Sequence, residues 1–322
     1  PRSTLDRSSS ASVVYKRQIL SYTPQLSDRE STEMKVAPTL SEEEEVWKAL
    51  VVGVHDYLDK TGFEDVLIGM SGGIDSSLVA AIAVDALGPS HVIGVSMPSR
   101  YSSEHSRKDA KKLAENLGIK YHSVPIEPAH TAMLSMLAES FEGEVKGLPE
   151  ENLQSRLRGN ILMSLANKNN AIVLTTGNKS EMATGYATLY GDLAGGFAVI
   201  KDVPKTLVYK LAKWRNLEDS NPLIPDEVIS KPPSAELRPE QLDTDSLPEY
   251  EILDPILEAY VERDATVNEL ISAGFQEEDV RHVISLIDRN EYKRRQSPPG
   301  VKITQRAFGR DRRLPLAQRY SP

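Results

Sequence analysis

Seven consecutive residues, Ser71, Gly72, Gly73, Ile74, Asp75, Ser76 and Ser77, concentrate the chemistry of this chain. Two glycines let a backbone turn tightly and approach a ligand closely. Three serines add hydroxyl donors. The apolar run before them, residues 66–70, reads as a buried strand, and residues 76–87 after them read as a helix. A helix start presents unpaired N–H groups and the positive end of its dipole. Strand, glycine turn and helix start together describe a phosphate cradle. This is not the lysine-bearing phosphate loop, because no Lys is present; Asp75 stands there instead. A carboxylate beside phosphate repels it unless a cation lies between them, so Asp75 implies Mg²⁺ bridging protein and phosphate oxygens. The plain alternative is a glycine-rich turn with Asp75 as a first-turn acid. The full string in its strand–loop–helix setting argues against it.

The elements that must position this loop follow a simple alternation. Ser41 with Glu44 fits a capping box, and Val46, Leu50, Val54 and Leu58 continue a helix at helical spacing. Short apolar runs at 66–70, 91–97, 121–126 and 171–175 alternate with helical stretches at 76–87, 103–117 and 150–167, and residues 197–201 extend the set. Such alternation predicts an α/β fold, a doubly wound parallel sheet. Ligands in such sheets bind at the carboxyl ends of strands, so the segments after strands one, two and four hold the candidate site. His105 lies in the second of these and is a candidate neighbour of an adenine; the other five of the six histidines read as ordinary surface or core residues. Stretches 254–263, 266–273 and 277–295 predict a small C-terminal helical set. Residues 1–40, interrupted by Pro24 and Pro38, show no periodicity and read as a linker.

Residues 71–77 resemble the pyrophosphate-binding loop of the N-type ATP pyrophosphatases, whose fold is adenine nucleotide alpha-hydrolase-like. That family includes NAD synthetase, GMP synthetase, asparagine synthetase, argininosuccinate synthetase and tRNA-modifying sulfur transferases. The resemblance assigns Gly69, Met70, Ser71, Gly72, Gly73, Ile74, Asp75, Ser76 and Ser77 to ATP. Four further stretches are similar to the NAD synthetase branch. In 152–158, the resemblance implies that Asn152 contacts a deamido-NAD substrate with Arg156 nearby. In 175–181, it gives Thr176 to ATP and Glu181 to both Mg²⁺ and the edge of deamido-NAD. In 185–206, it gives Asp192 a place near the ammonia site and Lys205 a place on the ATP phosphates; beyond it, Ser234 matches an ATP-side hydroxyl. In 291–296, Lys293 carries over as a substrate contact. Leu189 and Tyr292 depart from the stand-alone, ammonia-using members. Both departures look like the glutamine-dependent branch, in which a nitrilase-like glutaminase domain precedes the synthetase. Residues 41–322 then correspond to the synthetase domain, and 1–40 to the remains of the connection.

The implied reaction is ATP- and Mg²⁺-dependent amidation of deamido-NAD by ammonia through an acyl-adenylate, releasing AMP and pyrophosphate. The alternatives are another amidotransferase such as GMP synthetase, or a non-catalytic nucleotide-binding module. Composition bounds these readings. There is no cysteine, which removes disulfides, thiolate metal sites and a Cys nucleophile for glutamine from this chain, and argues against the sulfur transferases. A net charge of −9 argues against general nucleic-acid binding. From Tyr292 onward, however, nine Lys/Arg face one acid, which suits a solvated or subunit-spanning tail or phosphate contacts, and least of all RNA. No apolar run approaches the ~18 residues of a membrane span. The absence of an initiator Met points to a fragment or processed chain. A cytoplasmic homo-oligomer, at least a dimer, is expected.

Overall fold

The computed structural model describes residues 38–142, 147–219 and 221–317. The chain divides into two units, Pro1–Leu40 and Ser41–Pro322. The linker expected at 1–40 lies, up to residue 37, outside the described residues. The sheet and its helices all belong to the second unit.

Helix α1 (Glu42–Thr61) starts where the sequence places it. The Ser41 side chain accepts from the Glu44 amide, four glutamates occupy the first turn, and Gly62 closes the helix at φ 79°. The sheet comprises β1 (Val66–Gly69), β2 (Val92–Ser96), β3 (Lys120–Ser123), β4 (Ile172–Thr175) and β5 (Phe197–Ala198). Their order is β3-β2-β1-β4-β5 and every neighbouring pair is parallel. Ile68 of β1 pairs with Gly94 on one side and Leu174 on the other. The strand order reverses between β1 and β4, so the crevice at their carboxyl ends is the natural place for a ligand.

Alternate residues of β1 serve opposite cores, as a two-residue period requires. Val66 and Ile68 join Trp47, Leu50 and Val54 of α1 with Leu78 and Ile82 of α2 (Ile74–Leu87). Leu67 joins Val95, Val173 and Leu162, the last on α5 (Leu148–Asn169). Between them in sequence lie α3 (Glu104–Leu117) and α4 (Glu127–Leu137). After β4 come α6 (Lys179–Thr184), α7 (Lys205–Glu218) and α8 (Asp226–Ser230). The C-terminal set, α9 (Tyr250–Glu262), α10 (Val267–Ser272), α11 (Glu277–Arg289) and α12 (Glu291–Arg294), has its own core of Leu253, Ile256, Leu257, Val280, Val283 and Ile284.

Several boundaries differ from the sequence reading. The third strand ends at Ser123; beyond it only the Val124 and Ile126 amides still bond back, to Ser96 and Pro98. Helix α9 begins a turn before 254 because Tyr250 and Leu253 bury against the same core. The helix expected over 277–295 breaks at Asn290, whose side-chain amide donates to the Thr184 and Leu286 carbonyls. Among the described residues no helix is long and apolar enough to cross a membrane.

Candidate active site

The loop from β1 to α2 is held by its own hydroxyls. Ser71 Oγ accepts from the Gly73 amide at 3.1 Å and lies 3.1 Å from Ser76 Oγ, which also bonds the Gly73 carbonyl at 3.0 Å. Gly72 sits at φ 81°, and a Cβ there would lie 2.2 Å from the Ser106 carbonyl oxygen at the start of α3. Only glycine allows that approach. Gly72 is therefore turned against α3, away from the cavity lining. Ser77, expected to offer its hydroxyl to a ligand, is fully buried and donates to the Gly73 carbonyl at 2.8 Å. It braces the loop from behind. The other loop candidates, Gly69, Met70, Ser71, Gly73, Ile74, Asp75 and Ser76, line the cavity.

Three charged side chains from three elements meet at the end of this loop. Lys205 Nζ, at the start of α7, lies 2.5 Å from Asp75 Oδ2 and 3.6 Å from Glu181 Oε1. Asn178 fixes both acids. Its side-chain amide donates to Asp75 Oδ1 at 2.9 Å, and it forms a reciprocal capping box with Glu181 at the start of α6. Burial, and then the charge of Asp75, hold the Glu181 carboxyl well above the ordinary carboxylate range despite the pull of Lys205. For Lys205, burial opposes the charge, but Asp75 and Glu181 outweigh it and raise the ammonium's pKa. The site is thus rich in oxygen donors and short of positive charge. Asp75 and Glu181 fit a hard divalent cation such as Mg²⁺. Among the described residues no three acidic or histidine side chains form a complete metal cluster.

The cavity, about 510 Å³, runs from this point along the carboxyl ends of β1, β2 and β4. Thr176, Asn152, Arg156, Asp192, Ser234 and Lys293 all line it. The dinucleotide-side candidates converge on the loop 185–192. Asn152 Oδ1 accepts from Thr188 Oγ1 at 2.8 Å, and Arg156 Nε donates to the Leu189 carbonyl at 3.2 Å. Lys293 Nζ donates to the Gly185 and Ala187 carbonyls at 2.7 and 2.8 Å. Burial lowers the pKa of Lys293 while Asp192 raises it. The Asp192 carboxyl is open to the cavity but surrounded by protein beyond it. That desolvation pushes its pKa up to about 6, although its Oδ1 accepts from the Thr188 amide at 2.6 Å.

Ser234 stands on a strap, residues 231–241, folded onto the start of α3. Lys231 Nζ donates to Ser106 Oγ and to the Gly72 carbonyl, at 2.5 and 3.3 Å. Glu236 accepts from the Ser103 amide and from the Ser103 and Ser106 hydroxyls. The Ser234 hydroxyl itself donates to the Gln241 carbonyl. From the opposite side, Gln154 Nε2 donates to the Leu237 carbonyl at 2.9 Å.

The structure also adds residues. Arg107, Arg158, Lys231 and Asp243 line the cavity. Arg158 donates to the Met97 carbonyl at 3.0 Å, and burial lowers its pKa to about 10. Lys231 and Arg158 lie within the motif stretches around Ser234 and Asn152, and that proximity in sequence is the available signal. Asp243, which accepts from the Tyr250 hydroxyl at 2.8 Å, has no local signature. His105, the candidate adenine neighbour, is exposed on α3 and is not part of the lining, whereas Ser102, Ser106 and Arg107 are.

Comparison with known proteins identifies the family. The family model described as NAD synthase matches residues 46–297. A glutamine-dependent NAD(+) synthetase of Synechocystis sp. is 52% identical over 305 residues, covering 94% of this chain and 54% of its own length. One from Thermotoga maritima is 53% identical, covering 88% of this chain and 50% of its own length. The chain spans about half the length of the curated relatives it matches. Among solved structures, a glutamine-dependent NAD+ synthetase from Acinetobacter baumannii in complex with ADP is 45% identical with TM-score 0.61, over 88% of this chain and 51% of that one. An NMN synthetase from Francisella tularensis is 28% identical with TM-score 0.66, over 80% of this chain and 97% of that one.

Proposed function

We propose, from the premise that this chain belongs to the NAD synthase family, that it amidates the nicotinate carboxylate of deamido-NAD with ammonia at the expense of ATP. The observation that carries the reading is the meeting of Asp75, Glu181 and Lys205 beside a glycine loop at the sheet's reversal point, in the same cavity as Asn152, Arg156, Asp192 and Lys293.

A carboxylate resists ammonia because its leaving group would be oxide. Attack by the carboxylate oxygen on the ATP α-phosphorus forms a new P–O bond and expels pyrophosphate. Ammonia then attacks the acyl carbon of the adenylate, the C–O bond to AMP breaks, and a proton is lost from nitrogen. This chemistry needs no protein nucleophile; positioning and fixed charge do the work. The cavity-lining part of the loop, Ser71 and Gly73, with the first turn of α2, receives pyrophosphate. Lys205 neutralises charge on the phosphates, and Thr176 and Ser234 bond ATP. Asn152, Arg156 and Lys293 hold the dinucleotide. Asp192, with a pKa near 6, is ionised at neutral pH, draws ammonium and accepts its proton. Asp75 and Glu181 would hold Mg²⁺, which would supply charge neutralisation at the phosphates.

The test is mass spectrometry of products after incubation with ATP, Mg²⁺, ammonium and deamido-NAD. NAD, AMP and pyrophosphate are expected; ADP and phosphate would overturn the reading, and no turnover would overturn it in favour of a non-catalytic nucleotide-binding module. The similarity to an NMN synthetase favours one second reading, amidation of the mononucleotide. Nicotinate mononucleotide therefore belongs in a parallel incubation, and the larger kcat/KM assigns the substrate. A nitrilase-like glutaminase domain or chain is the proposed ammonia source, in a cytoplasmic assembly of at least two copies, which light scattering of the purified protein would count.

A further inference from the structure

Helix α7 carries Lys205 as its first residue, yet it starts at Pro204, which has no side chain able to cap it. Its leading amides are bonded from outside. The Lys205 amide donates to Ser180 Oγ at 2.9 Å, and the Thr206 amide donates to Asp254 Oδ2 at 2.8 Å. Thr206 Oγ1 donates to the same oxygen at 2.8 Å, and Ser180 Oγ donates to Asp254 Oδ1. One carboxylate thus supplies the negative charge that a helix start favours, and it joins that start to Ser180. Ser180 directly precedes Glu181, and the Lys179 amide beside it bonds the Val203 carbonyl at 2.9 Å. Ser180 and Asp254 are buried, and neither lines the cavity. Asp254 comes from α9, in the C-terminal helical set. The same helix walls the Lys205 side chain with the Tyr250 ring, 5.4 Å from its Nζ.

We infer that Asp254 is a positioning residue of the synthetase site: it staples the starts of α6 and α7 so that Glu181 and Lys205 face Asp75 before any ligand arrives. The inference deepens the proposed function and rests on its placement of Lys205 at the ATP phosphates. Asparagine at 254 is nearly isosteric but has one acceptor oxygen where the carboxylate uses two. With its oxygen on Thr206, its amide nitrogen faces Ser180 Oγ and cannot accept that hydroxyl's proton, so the negative charge and one accepted bond are lost and the staple loosens.

The deciding measurement is ATP affinity by titration calorimetry in the presence of Mg²⁺, which needs no turnover. Asp254→Asn is expected to weaken ATP about 10-fold, the size of one lost charge-assisted contact. Because it acts through Lys205 and Glu181, adding Asp254→Asn to the double variant Lys205→Ala/Glu181→Gln should weaken ATP no further. Losses that multiply, an Asp254→Asn affinity equal to the parent's, or a Lys205→Ala affinity equal to the parent's would each overturn the inference. Should Asp254→Asn fail to fold, Ser180→Ala removes the bridging hydroxyl only. It should weaken ATP in the same direction and likewise add nothing to Lys205→Ala/Glu181→Gln; multiplying losses there would sink the inference. Tyr260, also on α9, bonds Asp288, and Tyr260→Phe removes that bond without touching the starts of α6 or α7. It should bind ATP like the parent, and an equal loss would mean general loosening of α9 instead of positioning. If the parent binds ATP but forms no amide, the proposed function fails while these affinities still decide the role of Asp254.

Discussion

Two carboxylates sharing one ammonium set the energetics of the site at the scale of single residues. Glu181 is held above the ordinary carboxylate range by burial and by Asp75, a cost a protein tolerates where a cation is to be bound. Asp75→Asn and Glu181→Gln should each lower turnover by at least ~100-fold, because each removes charge from the group that stabilises departing pyrophosphate. Steady-state rates across a Mg²⁺ titration check this; wild-type rates and Mg²⁺ dependence in both variants would refute the metal assignment. Asp192 offers a second test. Its folded pKa, about 6, lies above the ordinary 3.8, so folding favours its neutral form. Its contribution to stability is full below about pH 4 and is lost as pH rises through about 6. Asp192→Asn should therefore raise Tm at about pH 8 and leave it unchanged at about pH 4, while amide formation falls at both. Water in the cavity screens the carboxylate, so the gain should not exceed ~1 kcal/mol. Thermal scans at the two pH values decide it; an equal gain at both would place the cause outside titration. Asp75 was legible in the sequence because it stands in a glycine loop directly after a recognisable strand, whereas Glu181 and Lys205 were legible only through the resemblance to the NAD synthetase branch. Ser77 and His105 were misplaced because type and spacing do not reveal which way a side chain turns at a helix start.

Elements decide whether the loop can exist at all. The approach of Gly72 to α3 is enforced by backbone, since the nearest atoms to a Cβ there are those of Ser106 itself. Gly72→Ala combines that clash with a left-handed φ that costs a non-glycine residue about 1 kcal/mol or more. The loop must back away from α3, and the Lys231 bonds to Gly72 and Ser106 cannot both survive. The expected result is a folded protein, with the loss measurable as a drop in Tm, whose ATP affinity is at least ~10-fold weaker. Calorimetric titration would reject this account if ATP bound unchanged. The sheet was readable from its apolar runs because four of its strands are short and alternate with helical stretches. The fifth, β5, is two residues long, and the sequence stretch continues into turns. Helices α6, α7 and α8 have no clear signal in the sequence. α6 and α8 are too short to show a period, and α7 carries its buried Val208, Leu211 and Ala212 behind a glycine-rich segment that reads as a ligand loop. Asn290, which ends α11, is a break made by tertiary contact with Thr184, for which the local sequence has no signal.

At the scale of the whole molecule, the site draws on both cores. The sheet and its helices supply the loop, Asp75, Glu181 and Lys205, while the C-terminal helical set contributes Lys293 to the wall and Asp254 to the frame behind it. The site therefore depends on the docking of the helical set. The nitrogen source is a different matter. Glutamine is an amide, and releasing its ammonia needs a nucleophile that forms an acyl-enzyme, most readily a cysteine thiolate. This chain has no cysteine, and it matches about half the length of relatives named glutamine-dependent. The chain on its own should therefore form NAD from ammonium and not from glutamine. The ammonium reaction should also speed up with pH, because ammonia rather than ammonium attacks the acyl carbon, until substrate or protein fails at the alkaline end. Initial rates with ammonium chloride and with glutamine, in a preparation shown to release no ammonia from glutamine by itself, distinguish the cases. Equal rates with the two donors would require a second hydrolytic site within this chain, and the separation of amidation from ammonia supply would have to be given up.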